Sequence, residues 1–488
     1  MKVLLADYVL PITASPIEKG AVVIEGDKIK AVGSQAEIKK IFPNAQTRDF
    51  GQSVLMPGFV NVHSHLELTI MRNVLSFVEN DFLKWLLTLT KIRRHLTEEE
   101  IKTSAIIGAV EGIKSGVTCF ADVGNLGKAG FEALKLFGLR GIVYQETNFS
   151  PFASVASADF ETLREKFLAL RQDETPLVRA GISPHAPYTV SSKLFEKIAQ
   201  YALDQNVPIM IHTAESRDEV SFLLNGEGVF AEIYDFAKLK YQRSSQIEHW
   251  APPKKRVIPY LQKTGILSTK PLLAHCVQVT DEEIDCIREN QCKIAHCPRS
   301  NARFGHGIAP LLKFLEAGIP TGLGTDSVAS CGSCDILQEG ATAVLLSRLD
   351  SSPKTSQRRK FIKPEEVIKL ATIGGACALG LEKEIGSLEV GKQADLIAIR
   401  LDSIWHEPVK FNIRSSFKIS ENSMTSNDFE SSDNIYSCLL FTSSSRDVCF
   451  TMVAGQELYS DGKLLKLDEN ELKEKIIKTT KNFQRRKL

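Results

Sequence analysis

Pro57-Gly58-Phe59-Val60-Asn61-Val62-His63-Ser64-His65-Leu66-Glu67 is an apolar run that enters through a Pro-Gly turn signal and ends on two histidines. Side chains on a strand repeat every second residue, so His63 and His65 share one face. Two imidazoles at a strand end make half a metal site. By itself the pair is more commonly what the solvent face of a strand shows. The rest of the chain has to choose.

From residue 58 to about 380, apolar runs alternate with helical patterns. The strand candidates are Phe59 to Val62, Val117 to Val123, Gly141 to Gln145 and Val178 to Ile182, then Pro208 to Ile211, Leu272 to Ala274, Lys293 to Ala295 and Thr321 to Gly324. Between them lie amphipathic segments such as Glu98 to Ser115, opened by the capping box Thr97-x-x-Glu100. Continuously apolar strands separated by helices predict an α/β fold, a parallel (β/α)8 TIM barrel, with a doubly wound open sheet as the alternative. Both ends read as short strands, including the hairpin signal Gly26-Asp27 and the runs Ala394 to Ile399 and Val448 to Ala454. They predict a small β-sandwich domain built from both termini. The expected division is 1–57 for its first part, 58–384 for the barrel and 385–488 for its second part. That last part carries a flexible polar insertion at about 415–445 and a charged C-terminal helix.

In a parallel barrel the chemistry sits where strands end. Here strand one ends on His63 and His65, strand four leads into His185, and strand five into His212-Thr213-Ala214-Glu215. Strand six ends on His275-Cys276, strand seven on His296-Cys297-Pro298-Arg299-Ser300-Asn301, and strand eight on Gly324-Thr325-Asp326-Ser327. Core histidines placed by chance would not recur at equivalent positions, and this repetition selects the metal-enzyme reading.

Taken together, Pro-Gly-x-x-Asn-x-His-x-His, His-x-x-Glu, His-Cys, His-Cys-Pro-x-Ser-Asn and Gly-Thr-Asp-Ser resemble the amidohydrolase superfamily, in its deaminase and chlorohydrolase-like branch. The resemblance runs from about residue 50 to 400. It implies the barrel with its β-sandwich, and His63, His65, His212 and Asp326 as ligands of one divalent ion. Binuclear members carry a bridging lysine on strand four, whereas Val178-Arg179-Ala180-Gly181-Ile182-Ser183 has none, so one ion is expected. Within the branch, His63 to Thr69, Phe82-x-x-Trp85-Leu86 and Phe304-Gly305-His306 look most like aminodeoxyfutalosine deaminases. S-adenosylhomocysteine and methylthioadenosine deaminases show small residues after the second histidine and an acid after the tryptophan segment. Here Leu66-Glu67 and Lys91-Ile92-Arg93-Arg94-His95 stand in those places. Triazine hydrolases share the scaffold.

Imidazoles and a carboxylate suit Zn²⁺, or Fe²⁺, and leave a position for water, whose pKa the cation lowers. Asp326 is placed to accept a proton and His275 to orient the water. Glu215 is placed to protonate a ring nitrogen and then the leaving amine. The expected reaction is hydrolytic deamination of an adenine nucleoside. Hydrolysis of another C–N or a C–Cl bond is the alternative in kind, and an inactive binding protein the alternative in class. His185 is expected at the substrate. Glu67, Trp85, Arg299 and Arg303 are candidates to line the pocket or to support it, and His306, between two glycines, reads as a loop residue.

A net charge of +1 offers no electrostatic argument for nucleic acid, and no apolar run reaches the length of a membrane span. The early charges Lys2 and Asp7 leave no room for a signal peptide, and the irregularly spaced cysteines read as reduced thiols. Together these predict a cytoplasmic enzyme acting on a small-molecule substrate, with family resemblance implying a homodimer.

Overall fold

Seventeen strands form in the computed structural model, which describes residues 1–232, 252–350, 361–407 and 432–484. The chain divides into two compact units. One comprises Met1–Val60, Gly112–Thr118 and Asp335–Lys466, the other Asn61–Glu111, Cys119–Cys334 and Leu467–Leu488.

In the first unit both ends of the chain meet in one nine-stranded sheet. Its N-terminal members are β1 (Lys2–Val9), β2 (Ile17–Glu25), β3 (Lys28–Ser34), β4 (Gln46–Asp49) and β5 (Ser53–Pro57). The hairpin read at Gly26-Asp27 joins β2 to β3, with Glu25 opposite Lys28 and Gly26 at φ +63°. After the parallel strands of the other unit, the sheet resumes with β14 (Leu396–Arg400), β15 (Val448–Val453), β16 (Gln456–Ser460) and β17 (Lys463–Leu464). Antiparallel β5 and β14 join the two ends, Leu396 opposite Pro57 and Arg400 opposite Ser53. Alternation explains how the sheet is covered: Leu4 and Ala6 enter one apolar cluster with Val22, Leu396 and Phe450, while Val3 and Leu5 enter another under Ile38. Each such buried aliphatic side chain contributes about 1.5–3 kcal/mol.

The eight strands expected between residues 58 and 324 all form, each within about two residues of its expected span. They are β6 (Phe59–Ser64), β7 (Val117–Gly124), β8 (Arg140–Glu146) and β9 (Val178–Ser183), parallel in the order β6-β7-β8-β9. The second parallel set is β10 (Met210–Thr213), β11 (Leu272–His275), β12 (Lys293–His296) and β13 (Thr321–Leu323). Single parallel bridges, Ile182 with Ile209 and Ser64 with Asp326, link the two sets. The helix Glu98–Lys114 starts on its expected box, Thr97 N–H donating to Glu100 and Glu100 N–H to the Thr97 hydroxyl.

Part of the expected polar insertion is helical rather than flexible. Ser432–Phe441 forms a helix that buries Ile435, Tyr436, Leu439 and Leu440, an i, i+1, i+4, i+5 stripe. Residues 408–431, which include 415–431 of that insertion, and residues 233–251 lie outside the described residues. Glu469–Gln484 is the C-terminal helix read from the sequence. Among the described residues no helix is long and apolar enough to cross a membrane.

Candidate metal and catalytic site

β6 carries His63, and His65 follows its last residue Ser64; both rings are buried, with centroids 4.9 Å apart. The same strand is clamped to the segment after β13. Asn61 donates to the Thr325 hydroxyl at 2.8 Å and accepts from Thr325 N–H at 3.1 Å, while Asp326 N–H donates to the His63 carbonyl at 2.9 Å. Asp326 is thereby held at φ +57°, a left-handed conformation a non-glycine residue adopts only where its surroundings impose it. Ala214, His275 and Cys276, at the ends of β10 and β11, are also left-handed.

One ligand atom each from His63, His65, His212 and Asp326 lies within 4.8 Å of every other. Asp326 Oδ1 is 3.6 Å from His63 Nε2 and 3.4 Å from His65 Nε2, and Nε2 of His65 faces Nε2 of His212 at 3.2 Å. His212 Nδ1–H donates to the His185 carbonyl at 3.0 Å, which leaves its Nε2 as a lone pair turned to the cluster. Burial holds His63 below its usual pKa, brings His65 down to about 3 and places His212 well below the ordinary range, so all are neutral. Burial alone would raise Asp326, but the His63 and His65 rings, 3.6 and 3.4 Å from its Oδ1, hold it well below the usual carboxylate range. Its Oδ2 accepts from the Ser300 and Ser330 hydroxyls at 2.6 and 2.8 Å. Neutral lone pairs facing each other, and a buried His63 Nε2 without a hydrogen-bond partner among the described residues, fit a cation between them.

Glu215 follows β10 and lies beside this group. Its Oε1 is 3.8 Å from His275 Nε2 and 3.4 Å from His306 Nε2. Burial pushes its carboxyl up, but His275 and His306 outweigh that and hold it below its ordinary value. His275 is turned by its Nδ1, 2.9 Å from Asn301 Oδ1, which aims Nε2 at Glu215. Glu219 accepts from Glu215 N–H at 2.8 Å. His306 does sit in a loop, as its glycine neighbours implied, yet its ring is buried against Glu215 and edge-on to Phe82 at 4.6 Å. The Phe304-Gly305-His306 motif was the available signal for this position.

The other expected residues are distributed around this centre. His185 stands 4.9 Å from the His212 ring, its Nδ1 2.8 Å from the Thr189 hydroxyl, and burial brings it to about 4. Trp85 is buried in an aromatic cluster, 4.7 Å from Phe304 and 6.3 Å from Phe82, on the side where His306 lies. Glu67 accepts from the N–H groups of Asn125 and Leu126 and pairs with Arg93. Arg299 is bound to Ser333, and Arg303 to Glu79 and the Ser330 carbonyl. His296 is buried and brought by burial to about 3, with Nδ1 unpartnered among the described residues. Glu146, one residue past the expected end of its strand, also reaches the cluster: one ligand atom from each of Glu146, His185 and His212 lies within 4.8 Å of the others.

Residues 54–458 match the model of the amidohydrolase family, and residues 20–45 match a bacterial imidazolonepropionase-like composite domain. A 5-methylthioadenosine/S-adenosylhomocysteine deaminase of Thermodesulfovibrio yellowstonii is 30% identical over 465 residues, 94% of this chain and 93% of that one. A zinc-bound adenosine deaminase of Xanthomonas campestris superposes with a TM-score of 0.78 at 24% identity, covering 99% of this chain and 98% of the other. The zinc-complexed atrazine chlorohydrolase of Arthrobacter aurescens gives 0.77 at 21% identity, with 98% and 100% covered. The features that set this chain apart from S-adenosylhomocysteine-type deaminases therefore coexist with extended similarity to an enzyme so named. With a family match spanning most of its length, the chain belongs to the amidohydrolase family.

Proposed function

We propose that this chain is a metal-dependent aminohydrolase that replaces the amino group of an adenine nucleoside with oxygen, working within one (β/α)8 barrel whose two parallel sheets are linked at Ile182–Ile209 and Ser64–Asp326. On this reading the barrel spans 58–384, and the flanking segments 1–57 and 385–488 build the β-rich domain. The observation that carries the function is the convergence of His63, His65, His212 and Asp326 beside a carboxylate, Glu215, held between His275 and His306. A single divalent cation, zinc by the donor set, would be held by those four residues and would lower the pKa of a water there toward neutrality.

The protein's own groups supply the rest. His275 orients the attacking water through Nε2. Glu215 is ionised in the free site, so it first takes a proton from that water and passes it to the ring nitrogen next to the amino-bearing carbon. As the water oxygen bonds to the amino-bearing carbon, Asp326 takes the second proton and returns it to the amino group. The C–N bond then breaks, ammonia leaves, and the ring keeps one proton on nitrogen and a carbonyl on carbon. Phe82, Trp85 and Phe304 give the base an apolar wall.

The adenine half is common to the candidate substrates, and the 5′ substituent separates them. Similarity to the Thermodesulfovibrio enzyme supports a 5′-thioether nucleoside, whereas the His63 to Thr69 and Phe304 to His306 motifs support aminodeoxyfutalosine. Purified zinc-loaded protein assayed with adenosine, 5′-methylthioadenosine, S-adenosylhomocysteine, aminodeoxyfutalosine and a chlorotriazine tests the reading. Ammonia release from an adenine nucleoside is the expected result. Chloride release alone, or no turnover of any nucleoside, would overturn it.

A further inference from the structure

Glu146 ends β8 at 7% exposure, and its Oε1 has no hydrogen-bond partner among the described residues. Glu67 is engaged with Arg93 and backbone N–H groups and Asp326 with two serines, while Glu219, whose Oε1 is also unpartnered among the described residues, spends its other oxygen on Glu215 N–H. A buried carboxyl left unengaged is costly, and a protein retains one where a ligand completes it. Its neighbours His185 and His212 do not make it a second cation site. The His212 Nε2 lone pair faces His65 and Asp326, and its Nδ1–H is spent on the His185 carbonyl. No ring nitrogen of His212 is left for another ion.

Strand order gives the ligand's direction. Glu215 follows β10 and His275 ends β11, so the reacting groups lie on that side. Glu146 ends β8 and His185 follows β9, and the Ile182–Ile209 bridge sets that side on the opposite flank of β10. A nucleoside whose amino-bearing carbon meets Glu215 has only its sugar to extend toward that flank. The two oxygens of a carboxyl group match a vicinal pair of hydroxyls.

We infer that Glu146 is a specificity-determining residue that hydrogen-bonds the 2′ and 3′ hydroxyls of a ribonucleoside substrate. This rests on the proposed deamination and names the part of the substrate that the acid reads. A site built to hydrogen-bond a hydroxyl discriminates strongly against the analogue lacking it, because the buried group is then left unpaired.

Zinc-loaded wild-type protein, Glu146→Gln and Glu146→Ala are compared on adenosine and 2′,3′-dideoxyadenosine, with metal content and thermal midpoint measured on each. Wild type should prefer adenosine in kcat/KM by about tenfold or more. Glu146→Ala should bring that preference to within about twofold through KM, with kcat on the dideoxy substrate little changed. Glu146→Gln, which keeps a donor and an acceptor, should retain part of it. A preference undiminished in Glu146→Ala, an equal loss on both substrates, or no preference in wild type would overturn the inference while leaving deamination standing. Absence of turnover by metal-loaded wild type on both of these nucleosides would overturn this inference, and the parent reading falls with it only if the 5′-substituted adenine nucleosides are untouched as well.

Discussion

Arg93 Nη2 lies 2.9 Å from Glu67 Oε1, and the carboxylate it pairs with is 3% exposed. These are the two places where the sequence departs from S-adenosylhomocysteine-type deaminases: an acid near the second histidine, and a base where an acid would follow the tryptophan segment. In space the two departures form one ion pair. The pair anchors the segment after His65, since Glu67 also receives the N–H groups of Asn125 and Leu126 at 3.2 and 2.9 Å.

Arg93→Ala should therefore destabilise the protein, because it strands a buried carboxylate. Breaking such a pair costs about 3–5 kcal/mol, and the two backbone donors that remain place the expected loss toward the lower end. Differential scanning calorimetry checks this, and an unchanged thermal midpoint would show that the backbone donors suffice. Glu67→Gln with Arg93→Ala should recover part of the loss, since it removes the stranded charge.

Glu215→Gln should abolish the proton relay while keeping the shape. Loss of a general acid–base group costs on the order of 10²–10⁴-fold in kcat. Metal content and melting temperature should stay close to wild type. A variant that retains more than about a tenth of wild-type kcat would remove Glu215 from the proposed chemistry.

Chelation should remove activity and lower the thermal midpoint together, because an ion that binds only the folded state adds to its stability. Zinc should restore both, at about one ion per chain. His63→Ala and Asp326→Ala should each lower the metal content of purified protein. Two ions per chain by elemental analysis would contradict the single-ion reading.

Glu219 gives a pH prediction with a definite sign. Burial pushes its carboxyl from 4.5 up to about 8, while its backbone acceptor role toward Glu215 N–H persists. The folded state thus holds this proton more tightly than the unfolded chain does. The stability it contributes is complete at low pH and is lost as pH rises from about 4.5 through 8. Glu219→Gln should flatten that fall, by an amount of order 1 kcal/mol or more at the alkaline end. Thermal midpoints of both proteins across the window measure it, and parallel curves would show that Glu219 ionises freely.

Much of the fold was legible because its signals are local. Apolar runs gave the eight parallel strands, Thr97-x-x-Glu100 gave a helix start, and Gly26-Asp27 a hairpin. His63, His65, His212 and Asp326 were legible because each closes such a run. His306 was legible only as part of the Phe304-Gly305-His306 motif, since its flanking glycines mark a loop and say nothing of a contact with Glu215 across the chain. Glu146 was missed by one residue: its expected strand stopped at Gln145, the last uncharged position. The helix Ser432–Phe441 was hidden by its polar surroundings, although Ile435, Tyr436, Leu439 and Leu440 already carried its buried stripe.

Gly324 offers the sharpest test of how the ligand cluster is held. A Cβ placed there would lie 2.8 Å from His63 Cβ and 2.9 Å from His63 N, with Cys297 Sγ at 3.1 Å. Two of those atoms belong to the backbone and Cβ of a ligand residue and cannot swing aside as a flexible side-chain tip would. Gly324→Ala must therefore push β6 away from the Gly324–Asp326 segment, lengthening the Asp326 N–H bond to the His63 carbonyl that now measures 2.9 Å. His63 would retreat from Asp326 while both ligands remain present. The expected effect is a loss of metal affinity of about 10–100-fold, the range seen when ligand-orienting groups are disturbed. The variant should still fold, because the clash is confined to one strand pair. Competition with a zinc chelator measures the affinity directly. Wild-type affinity in Gly324→Ala would mean that the close approach of these segments plays no part in placing His63.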